Sequence, residues 1–351
     1  MAASCDAALP RDGVSPVTLI RTTDGTIALL NLQAQIQPLE RHAAQRRLPS
    51  RRVSELVDLL ILRGQILGRV ADYERGAALA EQLARDPSAD GVAFLARART
   101  RACLHRFEEA LLDLDIAERR GVAGPELDTE RAAIFQAVGR YDEAMALRWA
   151  AVERRETFES LGALAALHAE RGEIAVAEQR FSESRGRFRG VSPFALAQLD
   201  FLRGHMWQEQ GDPRRARDWF TVAWRRLPAY APAEGHLAEV EADLGEPEVA
   251  IARLRRLADA SDDPDYAAQL ARILGRTGRL DEARGWRARA AARYDELVAR
   301  HLEAFADHAA EFWLEAGADP HRALWLARKN LEVRRTPRAH ELLTRATLAS
   351  E

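Results

Sequence analysis

The chain has 351 residues and nearly balanced charge, with 51 Lys and Arg residues against 54 Asp and Glu residues. A net charge of −3 gives no general field that would attract nucleic acid or an acidic membrane surface, so neither is an expected partner. The apolar fraction of 47% is mostly Ala and Leu, aromatic residues make up 7%, and Lys329 is the sole lysine, a bias typical of a bacterial, GC-rich source. This composition favours helices and offers little of the turn chemistry of a β fold.

Residues 1–22 are predicted to form a mobile N-terminal segment, because Pro10, Gly13 and Pro16 interrupt them. Their apolar stretch at residues 17–20 is a candidate to occupy a groove elsewhere on the chain. The start of the chain also resembles the end of a bacterial lipoprotein leader, with Cys5 as the lipid-bearing residue. On that alternative the protein is periplasmic or lipid-anchored, whereas the sequence as it stands predicts a cytoplasmic protein. Cys5 and Cys103 give neither a zinc spacing nor a disulfide framework, and no apolar stretch could span a bilayer.

Residues 23–50 are predicted to contain an N-terminal capping helix. Thr23 and Asp24 can cap its start, and apolar residues follow from Ile27 to Ile36. Pro38 is expected to break or kink this helix.

From residue 51 to residue 335 a unit recurs eight times: a small residue, a turn, an acidic or Pro helix start, and Ala. The residue just after each turn is its anchor, and successive anchors are 34, 34, 33, 39, 34, 33 and 40 residues apart. Three positions after each anchor the residue is Gly or Ala, and so is the residue nine positions before it, except at Glu311. Each unit is therefore predicted to be a helical hairpin that stacks on its neighbours. The anchors are Tyr73, Phe107, Tyr141, Ile174, Pro213, Pro247, Leu280 and Pro320.

A helix-turn-helix unit of about 34 residues with small residues at these positions resembles the tetratricopeptide repeat. The resemblance covers residues 53–335 as about eight repeats, and it implies an all-α, right-handed α-solenoid, a superhelix of stacked antiparallel helix pairs. The sequence departs from the family pattern in three ways. It lacks the Trp of the first helix. The Pro that ends each repeat in the family stands at the expected position only at Pro228, and Glu311 replaces a small residue in the last unit.

Two of the spacings between successive anchors exceed the usual period of about 34 residues. The spacing of 39 between units four and five predicts a longer loop around residues 186–192, and the spacing of 40 between units seven and eight predicts an elongated second helix over residues 283–302. Residues 336–351 are predicted to form a C-terminal capping helix, with Thr336 as its cap, Pro337 as its first residue, and Leu342 and Leu343 on its buried side.

The sequence contains no phosphate-binding loop of the GxxxxGK(S/T) or GxGxxG type and no GxSxG nucleophile elbow. A zincin pattern that begins at His340 and Glu341 fails, because Thr344 stands where the second His is required. No nucleophile, base and orienting residue can be assembled from the sequence. An enzyme is therefore not predicted, and no cofactor is expected.

Two polar sets could be solvated helix faces or parts of a metal site. His205 shares a helix face with Glu209, and His308 shares one with Glu311 and Glu315. Either set alone offers too few ligands for zinc, which favours the solvated faces.

Four aromatic residues of unit five could form either an aromatic box or the core between repeats. Phe220 falls at a core position of the resembled family, which favours the core, with Trp207 as the expected exception. The set is Trp207, Trp219, Phe220 and Trp224.

In tetratricopeptide proteins the first helix of each pair lines the concave side, and the resemblance implies the same here. Units four to six then present five carboxylates and no Arg, while units one, two and seven present Arg together with Asp58 and Asp265. The groove is predicted to be acidic in the middle and basic toward both ends, with Phe201 as an apolar contact. The predicted groove residues are Glu159, Glu170, Gln198, Phe201, His205, Gln208, Glu209, Glu239, Asp243, Arg69, Arg99, Arg272 and Arg276.

The sequence therefore predicts a non-enzymatic scaffold or adaptor that binds a peptide or protein segment with a cationic or polar centre in the concave groove. The Lys and Asn set with which chaperone-tail-binding relatives hold a C-terminal carboxylate is missing, so that role is not predicted. The alternative is a cell-envelope accessory or metal-handling protein, anchored through Cys5. An enzyme built on the repeat array has the least support.

Overall fold

Helices make up the described part of the chain. The computed structural model describes residues 20–45 and 48–351, and these residues form eighteen helices joined by short loops, with no β-strand among them. The predicted all-α solenoid is confirmed. In the same ranges no helix is both long and apolar enough to cross a membrane. Residues 1–19, with Cys5 and most of the predicted N-terminal segment, lie outside the described residues. The helices are α1 (Gly25–Gln45), α2 (Ser50–Leu67), α3 (Val70–Ala84), α4 (Gly91–Cys103), α5 (Phe107–Arg119), α6 (Gly124–Ala137), α7 (Tyr141–Arg154), α8 (Phe158–Glu170), α9 (Ile174–Arg187), α10 (Pro193–Glu209), α11 (Pro213–Arg226), α12 (Ala231–Asp243), α13 (Pro247–Ala260), α14 (Pro264–Arg276), α15 (Leu280–Arg300), α16 (Leu302–Leu314), α17 (Pro320–Val333) and α18 (Pro337–Ser350).

Helices α2 to α17 pack as consecutive antiparallel pairs, and a tight turn joins the two helices of each pair. All predicted anchors except the first are the first residues of second helices, from Phe107 in α5 to Pro320 in α17. The prediction is wrong in the first pair, where α3 begins at Val70 instead of Tyr73. Gly68 adopts φ 59° and ends α2, so the turn comes earlier than the anchor spacing indicated.

Small residues bring the two helices of a pair close together. The Ala residues three positions after the anchors of α5, α7, α9, α11, α13 and α17 are fully buried. At Gly204 of α10, a Cβ atom would lie 2.6 Å from the ring of Phe220 on α11, so Gly permits an approach that Ala would obstruct. The columns of small residues in the sequence therefore correspond to helix–helix contacts.

Buried ion pairs hold neighbouring helices together. The carboxylate of Asp200 on α10 is 1% exposed and lies 3.0 Å from the guanidinium of Arg185 and 3.5 Å from that of Arg226. Asp113 on α5 similarly pairs with Arg97 and Arg101 of α4, at 2.7 and 2.8 Å. Removing one member of such a set would leave an uncompensated charge in the interior.

Successive turns of the solenoid contact each other. The carboxylate of Asp262, in the loop before α14, accepts hydrogen bonds from the backbone N–H groups of Val70 and Ala71 at the start of α3, at 2.6 and 3.0 Å. The backbone N–H of Arg335, before α18, donates to the carbonyl of Val138, after α6, at 3.2 Å. Partners of these contacts are 191 to 197 residues apart. One superhelical turn therefore contains between five and six helix pairs. The loops of one superhelical turn contact the helix ends and loops of the superhelical turn before it.

The two long spacings have different structural causes. Helix α15 has 21 residues, as the predicted elongated second helix requires. Between units four and five the extra residues mainly lengthen α10, to 17 residues, and the loop before it covers residues 188–192. The predicted longer loop is thus mainly a longer helix. At the ends, Thr336 caps α18 as predicted, whereas α1 runs through Pro38 to Gln45 instead of breaking there.

The described end of the N-terminal segment packs beside α1. The backbone N–H of Thr23 donates to the carbonyl of Val191 at 2.7 Å, and the guanidinium of Arg226 donates to the carbonyl of Ile20 at 2.9 Å. The side chain of Ile20 joins the hydrophobic cluster around Phe158. These contacts hold residues 20–23 against the loop before α10 and the end of α11.

Candidate functional site

Three adjoining cavities lie along the inside of the solenoid, and we name them chambers A, B and C. Chamber A, about 410 Å³, lies among α2, α4 and α6. Chamber B, about 590 Å³, lies among α6, α7, α8, α10 and α18, and chamber C, about 390 Å³, lies among α8, α10, α12, α14, α16 and α18. Ala133 and Ala137 line both A and B, while Leu202 and His205 line both B and C. The chambers therefore form one inner channel, which is larger than a single small ligand needs.

Part of the predicted groove lines this channel. Gln208 lies at its edge, where its amide donates to Glu239 at 2.8 Å. The predicted residues that line a chamber are Glu170, Phe201, His205, Glu209, Glu239, Arg272 and, in chamber A, Arg99. The predicted residues that are exposed and line none of the chambers are Glu159, Gln198, Asp243, Arg69 and Arg276.

The predicted separation of an acidic middle from basic ends is wrong. Arg272 on α14 pairs with Glu239 on α12 at 2.5 Å, and Arg276 pairs with Asp243 at 2.9 Å. Arg99 lies among three carboxylates, at 2.7 to 3.1 Å. The first helices of neighbouring pairs lie side by side, so side chains 33 residues apart meet, and Arg272 and Arg276 neutralise Glu239 and Asp243.

Of the seven carboxylates that line chambers B and C, four make no ion pair with an Arg among the described residues, namely Glu170, Glu209, Asp265 and Glu341. Glu170 accepts a hydrogen bond from the amide of Gln136 at 2.7 Å. Asp265 accepts one from the amide of Gln269 at 2.7 Å and a long one from the hydroxyl of Tyr294 at 3.5 Å. Partial desolvation by the surrounding protein raises the pKa values of Glu170 and Asp265, for Asp265 to about 6, although the Glu170 side chain still reaches solvent. Both groups would gain stability from a cation placed in the channel.

Flat rings line chamber C beside these carboxylates. The ring of Phe201 lies 5.3 Å from that of His236, and the ring of His205 lies 5.4 Å from it. Burial lowers the pKa of both imidazoles, for His236 to about 4, so both are neutral at pH 7. On α16, the Asp307 carboxylate raises the pKa of His308. Neutral rings beside unpaired carboxylates suit the aliphatic stem and charged end of a basic side chain.

The two polar sets do not assemble a metal site. His205 Nε2 lies 3.6 Å from a carboxylate oxygen of Glu209, and Glu311 pairs with Arg338 at 3.1 Å. Across residues 20–45 and 48–351, no three His, Cys, Asp or Glu side chains are placed to hold a metal ion.

The aromatic set of unit five belongs mainly to the core. Trp219 is 6% exposed and Phe220 is fully buried, which confirms the core interpretation for these two. Trp207 and Trp224 are half-buried and pack against the same cluster. Guanidinium groups stack on both of these indoles, at 4.3 and 4.4 Å from the ring centres.

Sequence reasoning missed several residues of the channel wall. His308 lies twelve positions before its anchor, as Phe201 does, and this register could have placed it in the wall. His236 is one position out of that register. Arg338 belongs to α18, which was interpreted only as a cap, and Arg148 belongs to a second helix, so no position in the repeat indicated either.

Comparisons with known proteins give structural matches only. No protein-family model matches the chain, and no curated protein matches it. A Rap protein complexed with Competence and Sporulation Factor has a TM-score of 0.53 and 13% identity, with 91% of this chain and 98% of that chain covered. A human IFIT1 dimer with m7Gppp-AAAA has a TM-score of 0.56 and 15% identity, with 92% of this chain and 77% of that chain covered. The APC/C hetero-tetramer Cut9–Hcn1 has a TM-score of 0.49 and 16% identity, and this chain spans 52% of that chain's length.

At these identities the similarity shows the fold alone. The repeated helical array and its structural matches support a tetratricopeptide-like solenoid. The number of tetratricopeptide repeats stays a prediction. What remains to be assigned is the occupant of the inner channel.

Proposed function

We propose that this chain is a non-enzymatic scaffold that binds a segment of another protein in its inner channel. The observation that carries the proposal is the channel wall, in which paired charges, flat rings and four carboxylates without an Arg ion pair in the described chain face adjoining cavities. Such a wall can recognise a side chain by charge and shape. The fold agrees with this role, since the similar Rap structure contains a bound factor.

The bound segment should have a cationic centre. Seven carboxylates and four Arg residues line chambers B and C, and Glu170, Glu209, Asp265 and Glu341 make no ion pair with an Arg of the described chain. A Lys or Arg side chain in chamber C would supply a positive charge while its stem packs on Phe201 and His236. The same excess of carboxylates would repel a chain of phosphates, which supports a protein partner over a nucleic acid.

Labelled peptide pools test this proposal. We would use fluorescein-labelled octapeptides that are degenerate except at one central position, which is Lys in one pool and norleucine in the other. Fluorescence anisotropy should show that the wild-type protein binds the Lys pool about tenfold more tightly, which corresponds to about 1.4 kcal/mol. The double variant Glu170→Gln, Asp265→Asn should lose this preference and keep its thermal midpoint, because neither carboxylate has an ion pair to lose.

The control variant is Asp243→Asn, which removes a carboxylate that lies outside the chambers and pairs with Arg276. This variant should keep the preference for the Lys pool. Equal binding of both pools by the wild-type protein would contradict the cationic requirement. Absence of binding to either pool would contradict the proposed function itself.

A further inference from the structure

One part of the wall of chamber B comes from α7, the second helix of its pair. This helix contributes Tyr141 and Arg148, which are seven positions apart and therefore lie two turns apart on the same helix face. Most of the remaining wall comes from first helices and from α18. Helix α7 thus adds a basic and a phenolic side chain to a chamber that sequence reasoning assigned to first helices alone.

The cations of chamber B differ in whether they are already paired. Arg334 pairs with Asp307 at 2.8 Å, and Arg338 pairs with Glu311 at 3.1 Å. Among the described residues Arg148 makes no ion pair or hydrogen bond, and its Nε atom is buried without a partner. Burial lowers the pKa of this guanidinium, although an Arg side chain stays protonated at neutral pH. Arg148 is therefore a half-buried positive charge without an ion pair in the described chain, and its buried Nε–H group has no acceptor.

A buried N–H group without an acceptor destabilises the folded chain unless a bound group completes its hydrogen bond. The hydroxyl of Tyr141 makes no hydrogen bond to the described residues either, so a second donor is free in the same chamber. We infer that Arg148 binds a carboxylate side chain of the protein segment in the channel, with Tyr141 as a second donor. This inference rests on the proposed function and adds an anionic subsite to it.

The two subsites fix the charge pattern of the occupant. Its acidic residue would lie in chamber B at Arg148, and its basic residue would lie in chamber C near Asp265. Glu170, Glu209 and Glu341 also line chamber B. Three guanidinium groups line it as well, and Arg148 is the one that makes no ion pair in the described chain, so this lining suits an isolated carboxylate far better than a run of phosphates. The channel therefore selects a segment with separated charges of opposite sign, in one direction.

Arg148→Gln tests the anionic subsite. The Lys-centred octapeptide pool would be made in two forms, one with a single Asp and one with a single Asn distributed over the flanking positions. Fluorescence anisotropy should show that the wild-type protein binds the Asp form about tenfold more tightly. Arg148→Gln should bind both forms equally. Arg154→Gln is the matched control, because Arg154 lies on the same helix, is exposed, and is 3.9 Å from its nearest carboxylate, on Asp128.

A second measurement uses the wild-type protein, so the inference can be tested even if Arg148→Gln fails to fold. In the wild-type protein, phenylglyoxal should modify Arg148 readily, as followed by peptide mass spectrometry, and saturating Asp-form peptide should protect it at least tenfold relative to Asn-form peptide. Equal binding of the two forms together with unchanged binding by Arg148→Gln would overturn the subsite and leave the proposed function standing. Failure of both forms to bind would overturn both. Tight binding of a single-stranded oligonucleotide that Arg148→Gln abolishes would overturn the carboxylate assignment.

Discussion

Contacts between successive turns of the solenoid can be tested by comparing Gly139→Ala with Gly245→Ala. Both glycines follow the last residues of first helices, with φ 85° and 89°, so Ala imposes the same left-handed strain at both sites, about 1 kcal/mol. At Gly245 nothing lies within 4 Å of the position that a Cβ atom would take. At Gly139 that atom would lie 2.5 Å from the backbone oxygen of Arg335. Only Gly139→Ala therefore forces two turns of the superhelix apart.

The magnitude follows from the hydrogen bonds at this contact. The backbone N–H of Arg335 donates to the carbonyl of Val138 at 3.2 Å, and Nε of Arg334 donates to the carbonyl of Ala137 at 3.2 Å. Because the obstructing atoms belong to the backbone, a side-chain rotation cannot relieve the clash. Loss of two hydrogen bonds at about 1 kcal/mol each gives an extra destabilisation of about 2 kcal/mol for Gly139→Ala relative to Gly245→Ala.

Hydrogen exchange is the suitable assay, because a stacked array need not unfold in one step. In Gly139→Ala the amide of Arg335 and the first turn of α18 should exchange faster than in the wild-type protein, and the thermal midpoint should be lower than that of Gly245→Ala. Small-angle scattering should show a larger radius of gyration for the same variant. Equal midpoints and equal exchange in the two variants would refute the reasoning, since the contact would then add nothing to stability.

Three further substitutions test the packing, the buried charges and the channel. Gly204→Ala should lower the free energy of unfolding by about 1–3 kcal/mol, because its Cβ atom would clash with an aromatic ring. Gly275→Ala places its Cβ atom in open space and should raise the free energy of unfolding by up to about 1 kcal/mol. Urea unfolding measures both values. Asp200→Ala should lower the free energy of unfolding by about 3 kcal/mol or more, because it removes a buried ion-pair partner. Asp142→Ala removes an exposed ion pair and should lower it by less than about 1 kcal/mol. Equal losses in the two variants would contradict a stabilising role for the buried ion pairs. Burial lowers the pKa of His236 to about 4 from 6.5, so protonation opposes folding and wild-type stability should fall as the pH drops from about 6.5 to about 4. His236→Gln should show a smaller fall in thermal midpoint over that range, and an unchanged fall would argue against this burial.

The helix boundaries were predictable because the signals that set them are local. Pro213 and Pro320 occupy first helical positions, where a missing N–H costs nothing, and a Gly two positions earlier ends the preceding helix in most units. The first pair shows where this logic fails. Asp72 has the appearance of a helix-start residue, but it lies inside α3 and pairs with Arg63 at 2.5 Å. A tertiary ion pair explains that acidic residue, and Gly68 marks the true turn.

The wall of the channel was only partly predictable, because its charged side chains pair between neighbouring helices, and the pairing depends on how those helices are aligned. The sequence shows that Glu239 and Arg272 occupy equivalent positions in successive units, but which carboxylate an Arg reaches depends on how closely the first helices pack side by side. Arg148 and Arg338 enter the channel for another reason. The solenoid closes on itself after fewer than six pairs, which brings α7 and α18 to one chamber although their sequences are almost 200 residues apart.

The contact between turns and the chemistry of the channel involve the same short loop. Arg334 and Arg335 hold the start of α18 against the end of α6, and Arg338 follows within one turn of α18 and reaches Glu311 inside chamber C. If that loop lay elsewhere, Glu311 would join the unpaired carboxylates and the channel would become more acidic. The closure of the superhelix therefore determines which charges remain for a ligand. It leaves Glu170, Asp265 and Arg148 without an ion pair in the described chain while Glu239 and Glu311 are neutralised, so these are residues at which binding energy can be gained.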